Sequence, residues 1–214
     1  MVVWVFVLNL IFKKYVIKNF FLVLILGFSL NTCQVKEKNI YSYIISSKAS
    51  SKIIKQGNFE MNFTKQEWLA WDNQLMLEYL YDTIGNGKID SAIWENTGYR
   101  KDTNHLYIHP PRSNGLEILE YAPFPIIYYD ESKTVWQDTF TIPNNSGWGK
   151  DLDNSIFYQN YKVIKRNKKE IEISASSTRG KDISTISYIY DFKKGFQTMD
   201  FVVLDSLTVK IEKK

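Results

Sequence analysis

Apolar and polar residues alternate through the last third of the chain. From Leu207 to Ile211 every second residue is apolar and the residues between them are polar. A period of two is typical of a β-strand with one face buried and one in water. Five such segments follow one another, separated by short polar turns: YKVIKR, EIEISAS, ISYIYDF, QTMDFVVLD and LTVKIE. Their order predicts an antiparallel meander.

Shorter strand-like segments precede this meander. LYIH and LEILEY lie on either side of the turn formers PPRSNG and predict a hairpin, and IIYY and VWQDTFTI predict two further strands. A capping box at Thr64–Glu67 predicts a short helical turn near Trp68, followed by a strand from Gln74. The fold class is therefore mainly β, with about ten strands and at most a short helix, and it can be barrel-like, a half-barrel or a sandwich.

The amino-terminal region has the order of a secretory signal. Phe20–Leu30 is an uncharged run of eleven residues that follows Lys13, Lys14 and Lys18. A membrane-spanning helix needs about twenty apolar residues, so this run suits the apolar part of a signal peptide better. Residues 1–12 are also apolar, and they are either an extension or the result of a start site placed too early. The order of charge and apolar run favours the latter.

The chain has a single cysteine, Cys33, directly after this run. The stretch Leu30-Asn31-Thr32-Cys33 resembles a bacterial lipobox; Leu30 matches its first position, while Asn31 and Thr32 depart from it. The resemblance implies that residues 1–32 are a signal peptide and that Cys33 is the site of lipid attachment. It also implies an envelope protein anchored in a membrane, on its periplasmic or surface face. The alternative is a buried free thiol.

Removal of the signal leaves 182 residues. Residues 33–57 are rich in Lys and Ser and are interpreted as the lipidated cysteine and a tether, although Ile40–Ile45 could form a first strand. Residues 58–214 are interpreted as a single β-rich domain. The strings HPPR at 109–112 and PFP at 123–125, together with the carboxy-terminal meander, resemble segments of uncharacterised envelope lipoproteins of Bacteroidota-type bacteria. That resemblance implies export and a β domain, and it supplies no activity.

Charge gives little indication of a partner. The three lysines of the leader account for +3 of the net charge of +4, so the rest of the chain is nearly neutral. The net charge of this nearly neutral domain gives no argument for a nucleic acid partner or for acidic lipid. We expect the partners to be the membrane, through the lipid anchor, and a lipid or glycan ligand. No cofactor is predicted.

Few residues are candidates for chemistry. His105 and His109 would form a zinc pair on a helix, but in a strand four residues span about 13 Å, so no metal site is predicted. Arg112, on a loop stiffened by prolines, is a candidate for binding a carboxylate or phosphate, or else a solvated loop residue. Candidate ligand-binding residues are Arg112, His109, Trp94, Trp136 and Trp148, where the tryptophans either bind a sugar ring or belong to the core. No catalytic residue is nominated.

Three functions stay open at this point. The first is a binding or structural β module for lipid or another envelope component, similar in shape to lipocalin-like and lipoprotein-carrier folds. The second is a glycan-binding surface lipoprotein, and the third is an envelope hydrolase that uses His105 or His109. A large apolar cavity favours the first, exposed coplanar tryptophans favour the second, and a histidine bonded to a carboxylate in a cleft favours the third.

Overall fold

The computed structural model describes residues 39–49, 52–68, 73–82, 94–112, 116–142, 154–204 and 207–214, without the side chains of residues 39, 52–55 and 94. Within these ranges there are twelve strands and one 3₁₀-helix. The strands are β1 (Asn39–Ala49), β2 (Lys52–Glu67), β3 (Leu75–Tyr81), β4 (Trp94–Lys101), β5 (His105–Ile108), β6 (Ile126–Tyr128), β7 (Val135–Thr141), β8 (Ile156–Arg166), β9 (Glu170–Arg179), β10 (Asp182–Asp191), β11 (Gly195–Val203) and β12 (Leu207–Lys213). The 3₁₀-helix spans Glu117–Tyr121, between β5 and β6.

All twelve strands belong to one antiparallel sheet, which is not closed into a barrel. Its order is β6-β5-β4-β3-β2-β1-β12-β11-β10-β9-β8-β7, so two six-stranded meanders meet where β1 pairs with β12. The first and last strands therefore lie side by side in the middle, and β6 and β7 form the two edges. The predicted fold class, a mainly β antiparallel meander, is confirmed. Odd-numbered strands begin at the end of the sheet where β1 begins, which we call the amino end.

The core lies on one face of this sheet, and every second side chain of a strand points to that face. In β9 buried and half-buried residues alternate from Glu170 to Ser177, as the sequence pattern predicts. Aromatic rings dominate the buried face: Phe59 is stacked on Tyr79 with 5.3 Å between ring centroids. The largest fully buried side chains are mostly tyrosine and phenylalanine, and their burial stabilises the fold in the absence of a disulfide.

The segment between β5 and β6 packs against the buried face. Leu116, Leu119 and Ala122 are fully buried, and the 3₁₀-helix contacts β11. The predicted strand over LEILEY is therefore wrong, and LYIH pairs with β6 instead. The physical reason is that Pro123 and Pro125 follow directly and cannot donate ladder hydrogen bonds, whereas Leu116 and Leu119 share a face at the three-residue spacing of a 3₁₀ turn.

Three buried tyrosine hydroxyls hold this segment by its backbone. Tyr79 donates to the carbonyl of His109, and Tyr161 donates to the carbonyl of Phe124 at 3.0 Å. Tyr188 donates to the carbonyl of Ile126 at 2.6 Å and accepts from the N–H of the same residue at 3.1 Å. Backbone groups that enter a core without ladder partners are costly, and these hydroxyls satisfy them.

Tyr188→Phe is expected to destabilise the protein by about 1–3 kcal/mol, because it leaves a buried N–H and a buried carbonyl of Ile126 without that partner. Tyr43→Phe is the matched control. The Tyr43 hydroxyl is also buried, but it has no hydrogen-bond partner among the described residues, so its removal should be neutral or slightly stabilising. Urea unfolding followed by circular dichroism measures both. Equal effects of the two substitutions would contradict the proposed role of the Tyr188 hydroxyl.

The sheet begins with a strand that includes Ile40–Ile45, the alternative to a tether. Residues 39–49 and 52–57, assigned above to the tether, form β1 and the first part of β2. Tyr43 and Ile45 alternate with more exposed neighbours and enter the core, whereas Ser46 and Lys48 lie on the other face of β1.

The predicted helical turn near Trp68 has no capping box. Thr64–Glu67 belongs to β2, and the Thr64 hydroxyl donates to the carbonyl of Met76 across the sheet at 2.8 Å. A hydroxyl bonded to the neighbouring strand does not cap a helix. Residues 1–38 lie outside the described residues, and within the described part no helix has the length and apolarity needed to cross a bilayer.

Candidate functional site

A pocket of about 80 Å³ lies at the amino end of the sheet. It is lined mainly by aromatic side chains of strands from both meanders, with Leu106 of β5, Lys101 of β4 and Gly195 of β11 completing the wall. The aromatic lining consists of Tyr41, Phe63, Tyr99, Tyr190 and Phe196. The pocket forms here because β1, β5 and β11 begin, and β4 and β10 end, at this end of the sheet.

The size of the pocket limits what it can hold. Sites that enclose a drug-sized ligand have volumes of roughly 300–1,000 Å³, and an apolar cavity of about 150 Å³ holds benzene. A pocket of about 80 Å³ accommodates a short stretch of alkyl chain or part of a ring. It is therefore not the large apolar cavity that would favour a carrier of whole lipids.

Positive charge lies beside this aromatic pocket. The Lys213 ammonium lies 4.6 Å from the centroid of the Tyr41 ring, and Lys101 is exposed on the pocket wall. A cation over a ring face is attracted by the ring quadrupole. Aromatic walls with nearby ammonium groups suit an apolar group that carries a negative charge.

Arg112 is held inside the fold at the opposite end of the sheet. Its backbone N–H donates to both carboxylate oxygens of Glu95, at 2.8 and 2.9 Å, and its guanidinium donates to the Thr97 hydroxyl at 2.9 Å. Tyr81 donates to the same carboxylate at 2.9 Å. Arg112 thus contributes to a polar cluster that ties the loop after His109 to β3 and β4.

Glu120 has a raised pKa. Burial raises the pKa of this carboxyl to about 7, and the positive charge of Arg112 opposes the shift. A carboxyl with such a pKa exchanges protons near neutral pH, which is a property of many functional carboxyls and also of half-buried structural ones.

His109 lies in an aromatic cage and is only 3% exposed. Phe124, Tyr107 and Trp68 surround its ring, with centroid distances of 5.0, 5.1 and 5.8 Å. Its Nε2 lies 3.3 Å from the Tyr107 hydroxyl, and its Nδ1 has no partner among the described residues. Burial, with a smaller effect of Arg112, lowers the pKa of His109 to about 3. The ring is therefore neutral and shielded from a solvent-borne substrate.

His105 lies at the β4–β5 turn, within 3.1 Å of a carboxylate oxygen of Asp102. Its other nitrogen, Nε2, accepts from the guanidinium of Arg100 at 3.2 and 3.0 Å. The Asp102 carboxylate also accepts the backbone N–H groups of Asn104 and His105, which lower its pKa. The imidazole nitrogen that a general base would use is occupied, so this histidine–carboxylate pair stabilises a turn.

Trp136 belongs to the core. It is 7% exposed and is stacked face to face on Tyr161, with 5.0 Å between centroids and 7° between ring planes. In this position the indole presents no face to a sugar ring. Cys33, Trp148 and the side chain of Trp94 lie outside the described residues, so their predicted roles stay predictions.

Sequence reasoning missed the pocket at the amino end. Its residues lie on six different strands, and each strand shows only the ordinary alternation of apolar and polar residues. The one local signal is the high density of tyrosine and phenylalanine, which a core explains equally well.

No protein-family model matches this chain, and the search of curated proteins finds no match. The residues that the structure describes contain no group of three or more His, Cys, Asp or Glu side chains arranged to bind a metal ion.

Proposed function

We propose that this chain is a lipid-anchored envelope protein whose β domain is a non-catalytic binding or structural module for a lipid or another envelope component. The observation that carries the proposal is the short distance along the chain between Cys33 and the aromatic pocket. Strand β1 begins at Asn39, six residues after Cys33, and Tyr41 of the same strand lines the pocket. Six extended residues span at most about 20 Å, so an anchor at Cys33 would hold the pocket close to the bilayer.

The chemistry of the pocket supports a ligand that is partly apolar. Aromatic walls bind alkyl chains and rings by burial of apolar area, and the neighbouring lysines would attract an anionic head group. Because the pocket is small, the module would bind one end of an envelope amphiphile while the rest stays in the membrane or in solvent.

The geometry of the two histidines supports a non-catalytic role over the hydrolase hypothesis. His109 is caged and neutral, and Nε2 of His105 is bonded to Arg100. A general base needs a nitrogen that can reach the proton it removes, and neither ring offers one in this arrangement.

The anchor is tested by mass spectrometry of the protein purified from membranes. We expect the mature protein to begin at an acylated Cys33, because charge, apolar run and cysteine occur in the order of a lipoprotein signal. Cys33→Ala should keep residues 1–32 and carry no lipid. Ser29→Ala, a substitution just outside the lipobox-like stretch, is the matched control and should be processed normally. A protein that begins at Met1 or Lys13 and has a free thiol would contradict the proposal.

A further inference from the structure

Two neighbouring hairpin turns at the amino end of the sheet carry lysine pairs. Residues 167–169 join β8 to β9 and residues 192–194 join β10 to β11. The two turns are linked, since the N–H of Phe192 donates to the carbonyl of Lys169 at 2.9 Å. We call residues 167–169 and 192–194 the lysine turns. Their exposed lysines are Lys168, Lys169, Lys193 and Lys194.

Two acidic residues, Glu170 and Asp191, lie directly beside the lysine turns in the sequence. Glu170 forms an ion pair with Lys165 at 3.3 Å. Asp191 is only 3% exposed, and its Oδ1 accepts the backbone N–H groups of Lys193 and Lys194 at 2.8 and 2.9 Å. This carboxylate fixes the backbone of the turn, and its charge also acts on Lys169 and Lys194, so it offsets part of their positive charge. Four exposed lysines outnumber this one carboxylate, so the turns present net positive charge from a rigid backbone.

An exposed aromatic ring lies among these charges. Phe192 is 37% exposed, and its ring contacts Tyr190 edge to face at 6.0 Å. An exposed apolar ring next to lysines in the same turn suits the boundary between head groups and acyl chains. Lysine ammonium groups are point charges that interact with many phosphates without a fixed two-point geometry, which suits a fluid lipid surface.

We propose that the lysine turns and Phe192 dock onto the anionic lipid head groups of a membrane. The proposal rests on the proposed anchoring at Cys33 for its orientation, because β1 begins at the same end of the sheet as these turns. A tether of at most about 20 Å keeps that end within reach of the surface. Anchor and turns would then act together, and the basic cluster would fix which end of the domain faces the bilayer.

The test uses the full protein purified from membranes and reconstituted into two kinds of vesicle, phosphatidylcholine alone and phosphatidylcholine with phosphatidylglycerol. Amide hydrogen exchange is measured at residues 167–169 and 192–194. Exchange at these turns should be at least about fivefold slower in the anionic vesicles, and high salt should remove the difference. The β9–β10 turn at residues 180–181, at the opposite end of the sheet, should exchange equally in both.

Two double variants of equal charge change provide the control. Lys168→Gln with Lys193→Gln should abolish most of the head-group-dependent protection. Lys48→Gln with Lys181→Gln removes two exposed lysines from the opposite end and should leave the protection unchanged. Phe192→Ala should weaken the protection without affecting its salt dependence, since it removes apolar contact and no charge.

Equal exchange of the turns in both vesicles, or equal effects of the two double variants, would overturn the docking proposal. The mass of the purified chain reports acylation of Cys33 separately. If Cys33 proves unmodified, co-sedimentation of the protein with the same two vesicles replaces the exchange comparison. Head-group-dependent binding would then support docking even though Cys33 is not acylated. An acylated protein with unprotected turns would support the anchor and contradict docking.

Discussion

Acidification from pH 6.5 to pH 4 is expected to lower the free energy of unfolding by about 3 kcal/mol through one side chain, His109. The folded protein holds the pKa of this buried ring at about 3, whereas an unfolded histidine titrates near 6.5. Between these two values the unfolded chain binds a proton that the folded chain does not bind. The stabilisation is therefore complete above pH 6.5 and is lost progressively as the pH falls towards 3.

Glu120 acts in the opposite direction. Its pKa in the folded protein is about 7, above its ordinary value of 4.5, so the folded chain binds the extra proton between those values. This contribution stabilises the protein as the pH falls and is lost as the pH rises through 7. Because the Glu120 side chain is only half-buried, solvent screening reduces its effect, and we expect His109 to dominate.

The measurement is urea unfolding at a series of pH values from 7 to 4, for the native sequence and for His109→Phe. The phenylalanine keeps an aromatic ring in the cage and removes the titrating group. From pH 7 to pH 4 the free energy of unfolding of this variant should therefore fall by about 3 kcal/mol less than that of the native sequence. All other titrating groups are common to both chains and cancel in the comparison. Only the difference between the two curves is assigned to His109.

His105→Gln is the matched control, because it removes the other histidine from a surface turn where its ring bonds to Asp102 and Arg100. We expect the pH dependence assigned to His109 to persist in this variant, because its aromatic cage is intact. If His109→Phe also kept that dependence in full, the ring of His109 would have to titrate normally, and the aromatic cage would not exclude water.

The sequence predicts most of the sheet, because the period of two persists in the strands that have one exposed face. From β8 to β12 each predicted strand matches an observed one. The turns between them are short and polar, so each strand pairs with the next one along the chain. The position of β1 in the middle of the sheet was not predicted, because β12, one of its two partners, is distant along the chain. Tyr43 lies opposite Lys213, a pairing across 170 positions that no local pattern reveals.

The 3₁₀-helix was missed for a different reason. LEILEY has the apolar spacing of a strand and also that of a short helix, and only its burial against β11 decides between them. The same limit applies to the candidate site. Local sequence showed that Arg112 follows two prolines, but not that Glu95 and Thr97 of β4 would bind it.

Trp136→Ala is expected to destabilise the protein by about 3–5 kcal/mol, the cost of removing a large aromatic side chain from a core. Trp136 lies on β7, one edge of the sheet, and its ring meets Tyr128 of β6, the other edge, at 5.1 Å. Its ring is also stacked on Tyr161 of β8. The indole therefore joins the two edges of an open sheet, where β6 and β7 are not joined by ladder hydrogen bonds.

Trp136→Phe is the matched control for this effect. The indole N–H is buried without a partner among the described residues, so the substitution removes no hydrogen bond there. Phenylalanine also keeps an aromatic ring between Tyr128 and Tyr161. It should cost about 1–2 kcal/mol, clearly less than alanine. Urea unfolding followed by circular dichroism separates the two variants. If Trp136→Ala unfolded at the same urea concentration as the native protein, the ring would not be part of the core, and the glycan-binding hypothesis would regain one of its candidate residues. A large loss of stability instead assigns this tryptophan to the packing between the two edges of the sheet.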